Sequence, residues 1–337
     1  MRIERSDSDI ERLLRAANPV PVTPSRRLPA REAALRDRIM SEPTAPRPIR
    51  RGMPLRPWWV SVWTPLVAVA VLVAFVALSI GNPGVTPQAA AVTPRQLEFS
   101  DEGEETVADV IARAQTTLAA AKGVERPLRS STSTGWYYVV DMDDAQKTAV
   151  ISPEITKFEW SEDLSGSTRA FAGDAYWADG STQALPEGTP PPGSLLWEME
   201  FGPGEVQSGV SAEPGSSAAD ISALLAGYGM TDAASGFDVV NSIDATLSFW
   251  RLTNQQHARM LQLVAASDGV RVLGATVDRA GRSVYGLSVD LPGATAEQHM
   301  FVSKDTGRVV GFETLTTRAD EVFDAGLITS YRMYDVE

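Results

Sequence analysis

Residues 269–290 read GVRVLGATVDRAGRSVYGLSVD, and residues 300–314 read MFVSKDTGRVVGFET. Each passage contains two short runs in which apolar and polar residues alternate, the pattern of a strand with one buried face. The runs are separated by short turns that contain the Asp and Gly residues favoured there. The two passages therefore predict two successive β-hairpins. The predicted strands of these hairpins, and the strand that follows them, are Val270–Val277, Ser283–Leu291, His299–Ser303, Arg308–Leu315 and Leu327–Tyr334.

Four more strands are predicted upstream of these hairpins, with predicted helices before and after them. Apolar and aromatic runs bounded by turn residues predict four more strands, at Gly135–Met142, Thr148–Trp160, Thr168–Trp177 and Leu195–Phe201. Apolar residues at helical spacing predict three helices, at Glu104–Ala121, Ala218–Tyr228 and Thr253–Ser267. Successive hairpins with few helices favour an α+β domain over residues 101–337, in which an antiparallel sheet packs on helices.

Charge is distributed unevenly along the chain. The 337 residues have a net charge of −13, but residues 1–56 contain 13 Arg and 7 acidic residues, a net charge of +6. The rest of the chain therefore has a net charge of −19, which disfavours binding to nucleic acid. The sequence contains no Cys, so disulfides, zinc–thiolate sites and a Cys nucleophile are excluded.

A long uncharged segment separates the basic arm from the acidic domain. Val60–Ile80 reads VSVWTPLVAVAVLVAFVALSI, and a helix of this length rises roughly 32 Å, about the thickness of a bilayer core. Trp58, Trp59 and Trp63 lie at one end, where the headgroup region favours indole rings. We therefore expect a transmembrane helix over residues 58–80 in the cell membrane. The positive-inside rule places the N-terminus in the cytoplasm and the C-terminal domain outside it.

Two other interpretations of this segment are a buried helix of a soluble protein and a cleaved signal peptide. The length and apolarity of the segment argue against a buried core helix. Ala89–Ala91 would suit a signal-peptide cleavage site, but the preceding arm is far longer than an ordinary n-region. The arm at 1–57 is interpreted either as a disordered tail that meets anionic lipid or as a segment that folds on a cytoplasmic partner. Residues 81–100 are expected to be a spacer.

Several passages resemble one protein family. The two hairpin passages quoted above are similar to the C-terminal hairpins of an actinobacterial family of single-pass membrane proteins. Trp136–Tyr138 with Phe158–Asp163, and the arm segment Ile10–Pro19, resemble other parts of that family. The resemblance implies an outer domain similar to LolA and RseB, a half-barrel in which an antiparallel sheet curls around helices. It also implies a relation to membrane anti-sigma factors, but it transfers no functional residues.

Sites for catalysis are few in this sequence. The two imidazoles, His257 and His299, lie more than forty residues apart in a predicted helix and at the start of a predicted strand. No metalloprotease, nucleophile-elbow or phosphate-loop motif is present. The acidic turn at Asp141, Asp143 and Asp144 lacks the additional spaced ligands of a calcium loop and is interpreted as solvated. We therefore expect no catalytic residue, no metal and no cofactor.

Aromatic residues of the early strands suggest a different kind of site. Their ordinary role is packing within the sheet, but a curled sheet also leaves an open apolar hollow. In LolA-like folds such a hollow accepts acyl chains, so the resemblance implies an apolar ligand here. The proposed lining residues are Trp136, Tyr138, Trp160 and Trp177.

The expected function is therefore binding without catalysis. The outer domain is expected to act as a sensor or carrier that binds a lipid, another apolar ligand or an envelope protein, while the transmembrane helix contacts the lipid bilayer. The alternative is an anti-sigma-like transcriptional co-regulator that binds a cytoplasmic partner through the arm. Against this alternative, the arm is short and contains neither the His nor the Cys residues of zinc-type anti-sigma domains.

Overall fold

The computed structural model describes residues 93–100, 105–138, 150–231, 234–293, 295–319 and 323–335. All of them belong to one unit, Pro57–Glu337. The predictions for the arm at 1–57, for the helix at 58–80 and for most of the spacer therefore lie outside the described residues. The acidic turn at Asp141, Asp143 and Asp144 also lies outside them.

The described residues form eleven strands and four helices. The strands are β1 (Ser130–Tyr137), β2 (Val150–Ile151), β3 (Glu154–Trp160), β4 (Gly166–Ala172), β5 (Tyr176–Trp177), β6 (Leu195–Phe201), β7 (Arg271–Val277), β8 (Ser283–Asp290), β9 (Ala296–Ser303), β10 (Val309–Thr316) and β11 (Ile328–Tyr334). The helices are α1 (Val107–Ala120), α2 (Ala218–Gly227), α3 (Gly236–Leu247) and α4 (Asn254–Ala265).

Nine of these strands form one open antiparallel sheet. Its order is β6-β4-β3-β1-β11-β10-β9-β8-β7, and β2 pairs separately with β5. Within β1–β6 and within β7–β11, strands of this sheet that follow one another in the chain also pair, and the two groups are joined where β1 pairs with β11, nearly 200 residues later. This pairing joins an N-terminal group of strands to the C-terminal hairpins.

The predicted fold class was wrong. The expectation was an α+β fold with a transmembrane helix and a curled half-barrel, whereas the described part is mostly β, and its sheet is neither closed nor curled. Its end strands, β6 and β7, lie at opposite limits of the sheet and do not pair. Turn residues determine which strands form hairpins, but curvature depends on bulges and strand stagger along the whole sheet.

The expected single-pass membrane topology also needs correction. Among the described residues, no helix is both long enough and apolar enough to cross a bilayer. The longest of them, α1, has 14 residues and rises about 21 Å, short of the roughly 30 Å of a hydrocarbon core. The segment 58–80, on which the prediction depended, lies outside the described residues.

Each of the four helices begins at a capping box. In α3, for example, the Ser235 hydroxyl accepts a hydrogen bond from the Asp238 N–H, while the Asp238 carboxylate accepts one from the Ser235 N–H. Three of the helices follow the predicted segments to within three residues at each end. The helix α3 was not predicted, although Ser235 with Asp238 and the apolar residues Val239, Ile243 and Leu247 provide both a start signal and a helical stripe.

The two faces of the sheet are covered differently. On one face, Leu287, Met300 and Phe312 pack in a buried cluster with apolar residues of all four helices. On the other face, a smaller cluster around Phe301 and Tyr331 packs against residues 93–100, which were predicted as the end of a spacer. We call these the helix face and the back face.

Candidate functional site

An open cavity of about 790 Å³ lies on the helix face, over β1, β3 and β4 and beside the end of α3. Tyr137 is half-exposed at this cavity, so the site is accessible from solvent. The lining consists mainly of aromatic rings and small hydroxyl side chains, with three charged residues and one amide. These residues are Ser131, Ser133, Gly135, Trp136, Tyr137, Tyr138, Val150, Ser152, Glu154, Thr156, Phe158, Thr168, Phe201, Glu205, Val206, Gln207, Ser248, Phe249 and Arg332.

Three phenylalanines form a connected aromatic wall of the cavity. The ring of Phe158 on β3 meets Phe249 edge-on at 5.6 Å between centroids, and it meets Phe201 of β6 edge-on at 6.3 Å. Such edge-to-face contacts restrain the rings beyond the effect of simple burial. All three rings are partly exposed, so they present apolar surface to the cavity rather than to a closed core.

The position of Phe249 depends on a buried pair of indoles beneath it. The Trp160 indole N–H donates a 2.9 Å hydrogen bond to the Phe249 carbonyl, and the Trp160 ring meets Trp250 edge-on at 4.9 Å. The Trp250 indole N–H in turn donates to the Tyr228 hydroxyl at 3.0 Å. Burial raises the pKa of Tyr228 to about 12, so this phenol remains neutral at physiological pH.

A polar cluster around Arg332 forms another wall. The Arg332 Nε donates to the Tyr137 hydroxyl at 2.7 Å, and one terminal nitrogen donates to the Ser248 hydroxyl at 2.7 Å and to the Asp244 carboxylate at 3.3 Å. Burial acts to lower the pKa of Arg332, but its phenol and carboxylate neighbours raise it, and the pKa lies well above its usual value. The cation is therefore already neutralised and hydrogen-bonded within the wall.

The cluster connects strands to the end of α3. Tyr334 donates to the Asp244 carboxylate at 2.6 Å, and the Ser131 hydroxyl donates to the Leu247 carbonyl at 2.7 Å. These bonds fix the last turn of α3 over β1 and β11. Because Ser248 and Phe249 follow directly, the same bonds place both residues at the cavity.

The structure separates the four residues predicted to line an apolar hollow. Trp136 and Tyr138 lie at the border of the cavity, but the Trp136 ring belongs to the back-face cluster, where it stacks on Tyr331 with ring centroids 6.3 Å apart. The Tyr138 ring meets Trp136 edge-on at 6.4 Å. Trp160 is buried behind the cavity, 5% exposed. Trp177 lies on β5, where its indole N–H donates to the Gln183 carbonyl, and it does not contribute to the lining.

Three lining residues, Phe249, Phe201 and Arg332, were not predicted from the sequence. Phe201 ends a predicted strand, so it could be assigned to the cavity only after the order of the strands in the sheet was known. Phe249 follows the helix that was not predicted. Arg332 reaches the cavity only because β11 pairs with β1, which no local pattern indicates.

No protein-family model matches this chain. No curated protein matches it either. The resemblance to actinobacterial membrane proteins therefore stays a prediction.

A second polar cluster lies on the back face, beneath residues 93–100. Cross-strand register aligns Ser288, His299, Glu313 and Tyr331 on β8 to β11. A 2.8 Å hydrogen bond joins His299 Nε2 and the Glu297 carboxylate, and Arg279 forms a 2.6 Å ion pair with Glu313, whose pKa is raised by burial. In the described part of the chain, no group of three or more acidic, His or Cys residues is arranged to hold a metal ion.

Proposed function

We propose that this protein binds an apolar ligand in the cavity over β1, β3 and β4, and that it does so without catalysis. The observation that supports the proposal is an accessible cavity of about 790 Å³ with a connected wall of aromatic rings. Ligand sites are commonly concave, apolar and of about 300–1,000 Å³, with a few polar groups that fix orientation.

The charged groups at the cavity narrow the kind of ligand. Arg332 is neutralised by Asp244 and donates to three hydroxyl groups, while Glu154 and Glu205 add negative charge to the lining. A free carboxylate head group would meet these two acids without an unpaired cation to bind. We therefore expect an uncharged apolar or aromatic ligand to bind more tightly than an anionic amphiphile of similar size.

The polar groups of the cavity are suited to orienting a ligand rather than to catalysis. The Tyr137 hydroxyl accepts from Arg332, and the Ser248 hydroxyl accepts from Arg332 and donates to the Asp244 carbonyl, so neither hydroxyl is hydrogen-bonded to a carboxylate or an imidazole that would activate it. The Ser248 hydroxyl is fully hydrogen-bonded, since it also pairs with the Tyr334 hydroxyl, whereas the Tyr137 O–H remains suitable for one polar atom of a bound ligand. This arrangement suits a carrier or a sensor domain, the role also expected from the sequence.

Binding of two fluorescent probes tests the proposal. The full chain is titrated with the uncharged dye N-phenylnaphthylamine and, separately, with a dansyl-labelled fatty acid. We expect saturable binding of both probes, with the uncharged dye bound more tightly. Failure of both probes to bind would remove the proposal, and tighter binding of the fatty acid would remove the expected preference for an uncharged ligand.

Two variants locate the binding site. Phe249→Ala removes one ring of the aromatic wall, and Ser133→Phe fills the cavity from a strand position that tolerates an aromatic side chain. Both changes should weaken dye binding, because the first removes apolar contact surface and the second occupies the space of the ligand. Val277→Ala, at an exposed apolar position of β7, is the matched control and should bind the dye as the parent does.

A further inference from the structure

The strand β6 forms a bare edge of the large sheet. It is bonded to β4 on one side and is the last strand of the sheet order on the other. Its sequence is LLWEMEF, and every residue except Phe201 is exposed. Leu195, Trp197 and Met199 have exposed fractions of 53%, 42% and 52%. Long apolar edge strands are uncommon in native proteins because they pair readily with other strands.

The opposite edge of the sheet, formed by β7, is partly covered. There, Ser100 pairs with Ala275 of β7 through two backbone hydrogen bonds, and the Thr276 hydroxyl donates to the Glu98 carbonyl at 2.7 Å. Residues 98–100 therefore protect part of the β7 edge. Among the described residues, β6 has no such covering segment.

The side chains of β6 alternate between apolar and acidic. Trp197 and Met199 lie opposite Ala170 and Thr168, whereas Glu198 and Glu200 lie opposite Arg169 and Ser167. Directly opposed residues share a face in an antiparallel sheet, so the apolar side chains project on one face and the carboxylates on the other.

The acidic face of β6 has an excess of negative charge. Arg169 forms an ion pair with Glu198 at 2.6 Å, and Lys157 of β3 lies opposite Arg169, so this face of β3, β4 and β6 has three carboxylates and two cations. Ser167, the next residue on that face, lies between Glu200 of β6 and Glu159 of β3. Two carboxylates therefore flank a neutral side chain beside the open edge. Opposite charges across strands stabilise pairing, and like charges destabilise it.

We propose that β6 binds an extended peptide segment in which apolar and basic residues alternate, and that this segment adds to the sheet as a tenth strand. Backbone hydrogen bonds at the free edge would supply affinity, as in other cases of β-strand addition. Apolar side chains of the peptide would lie beside Trp197 and Met199, and basic ones beside Glu198 and Glu200.

Charge argues for this partner over a second copy of the chain. The antiparallel register that pairs all seven residues of β6 with those of a second copy is centred on Glu198, and it places that carboxylate against its own counterpart. Residues 57–337 also have a net charge of −19, so two such units repel each other while a basic peptide is attracted.

Fluorescence polarisation with a designed peptide tests the proposal. The probe is a labelled peptide of about nine residues with Val and Arg in alternation, titrated with the full chain at low ionic strength, where screening is weak. We expect saturable binding. A peptide of the same composition with its Arg residues in one block and its Val residues in another cannot match the alternation and should bind at least about fivefold more weakly.

Substitutions on β6 distinguish strand pairing from general attraction to an acidic protein. Glu200→Lys should weaken binding of the Val/Arg peptide by about fivefold and strengthen binding of a Val/Glu peptide. Trp197→Ser should weaken binding of the Val/Arg peptide while leaving binding of the uncharged dye in the cavity unchanged. The matched control is Glu125→Lys, which makes the same charge change at an exposed position outside the sheet.

Three outcomes would overturn the proposal. Equal binding of the alternating and block peptides would show attraction without strand pairing. An equal effect of Glu125→Lys and Glu200→Lys would remove β6 as the site. A dimer in light scattering that dissociates on Trp197→Ser would identify a second copy of the chain, and not a basic peptide, as the occupant of this edge.

Discussion

The Trp160 indole N–H lies 2.9 Å from the Phe249 carbonyl oxygen, to which it donates a hydrogen bond. The bond connects a strand residue that is 5% exposed to the first residues after α3. It therefore joins the buried core to the cavity wall. A substitution at Trp160 should therefore lower the stability of the fold and, through Phe249, alter the wall of the cavity.

Two tryptophans of neighbouring parts of the sheet should differ in their contribution to stability. Trp160→Ala should lower the free energy of unfolding by about 3–5 kcal/mol, since it removes a buried ring and leaves the Phe249 carbonyl without its donor. Trp197→Ala should cost less than about 1 kcal/mol because that ring is 42% exposed on β6. Urea unfolding of both variants measures the difference, and equal losses would contradict the assignment of Trp160 to the core.

The Arg332 cluster should require a guanidinium and not merely a positive charge. One Arg332 side chain donates to Tyr137, Ser248 and Asp244 at the same time, which an ammonium group on a flexible chain cannot reproduce with the same geometry. Arg332→Lys should therefore lower the free energy of unfolding by about 1–3 kcal/mol. Arg169→Lys is the control, since Arg169 forms one ion pair on the exposed β4–β6 face, and it should be nearly neutral.

Acid should destabilise the fold through His257. This side chain is 2% exposed on α4, its Nδ1 has no hydrogen-bond partner within the described part of the chain, and burial lowers its pKa to about 4. Between the unfolded pKa of 6.5 and the folded value, the unfolded chain binds a proton that the folded chain does not. The resulting stability is complete above pH 6.5 and is lost as the pH falls towards 4, by about 3 kcal/mol.

Unfolding curves at several pH values measure this loss. In His257→Gln the curve of stability against pH should be flatter between pH 6.5 and 4, because the side chain no longer titrates. Carboxylates that titrate in the same range affect parent and variant alike, so the difference between the two curves isolates His257. Parallel curves would show that His257 does not cause the acid sensitivity.

Within residues 93–100, the Phe99 ring packs on a glycine of β8. A Cβ built on Gly286 would lie 2.3 Å from the Phe99 ring, so this ring packs directly on the glycine backbone. Gly286→Ala should cost about 1–3 kcal/mol through overpacking. Phe99→Ala should relieve the clash, so the double variant should lose less stability than the sum of the two single losses. Additive losses in denaturant unfolding would place Phe99 away from Gly286.

The sequence by itself determined the local elements of this protein. Alternation and turn residues predicted the strands of the C-terminal hairpins, and helical spacing with capping residues predicted three helices, because both signals depend on residues only a few positions apart. The helix α3 was also encoded in this way, by Ser235 and Asp238, and was overlooked.

Only the tertiary structure decided how these elements combine. The pairing of β1 with β11 brings Tyr137 to Arg332 across 195 positions of the chain, and the end of α3 brings Phe249 to Phe158. The same long-range packing placed Trp160 behind the cavity and left the sheet open, with β6 exposed. Strand order and curvature depend on contacts between distant segments, and neither the hydrophobic period nor the turn chemistry of one segment encodes them.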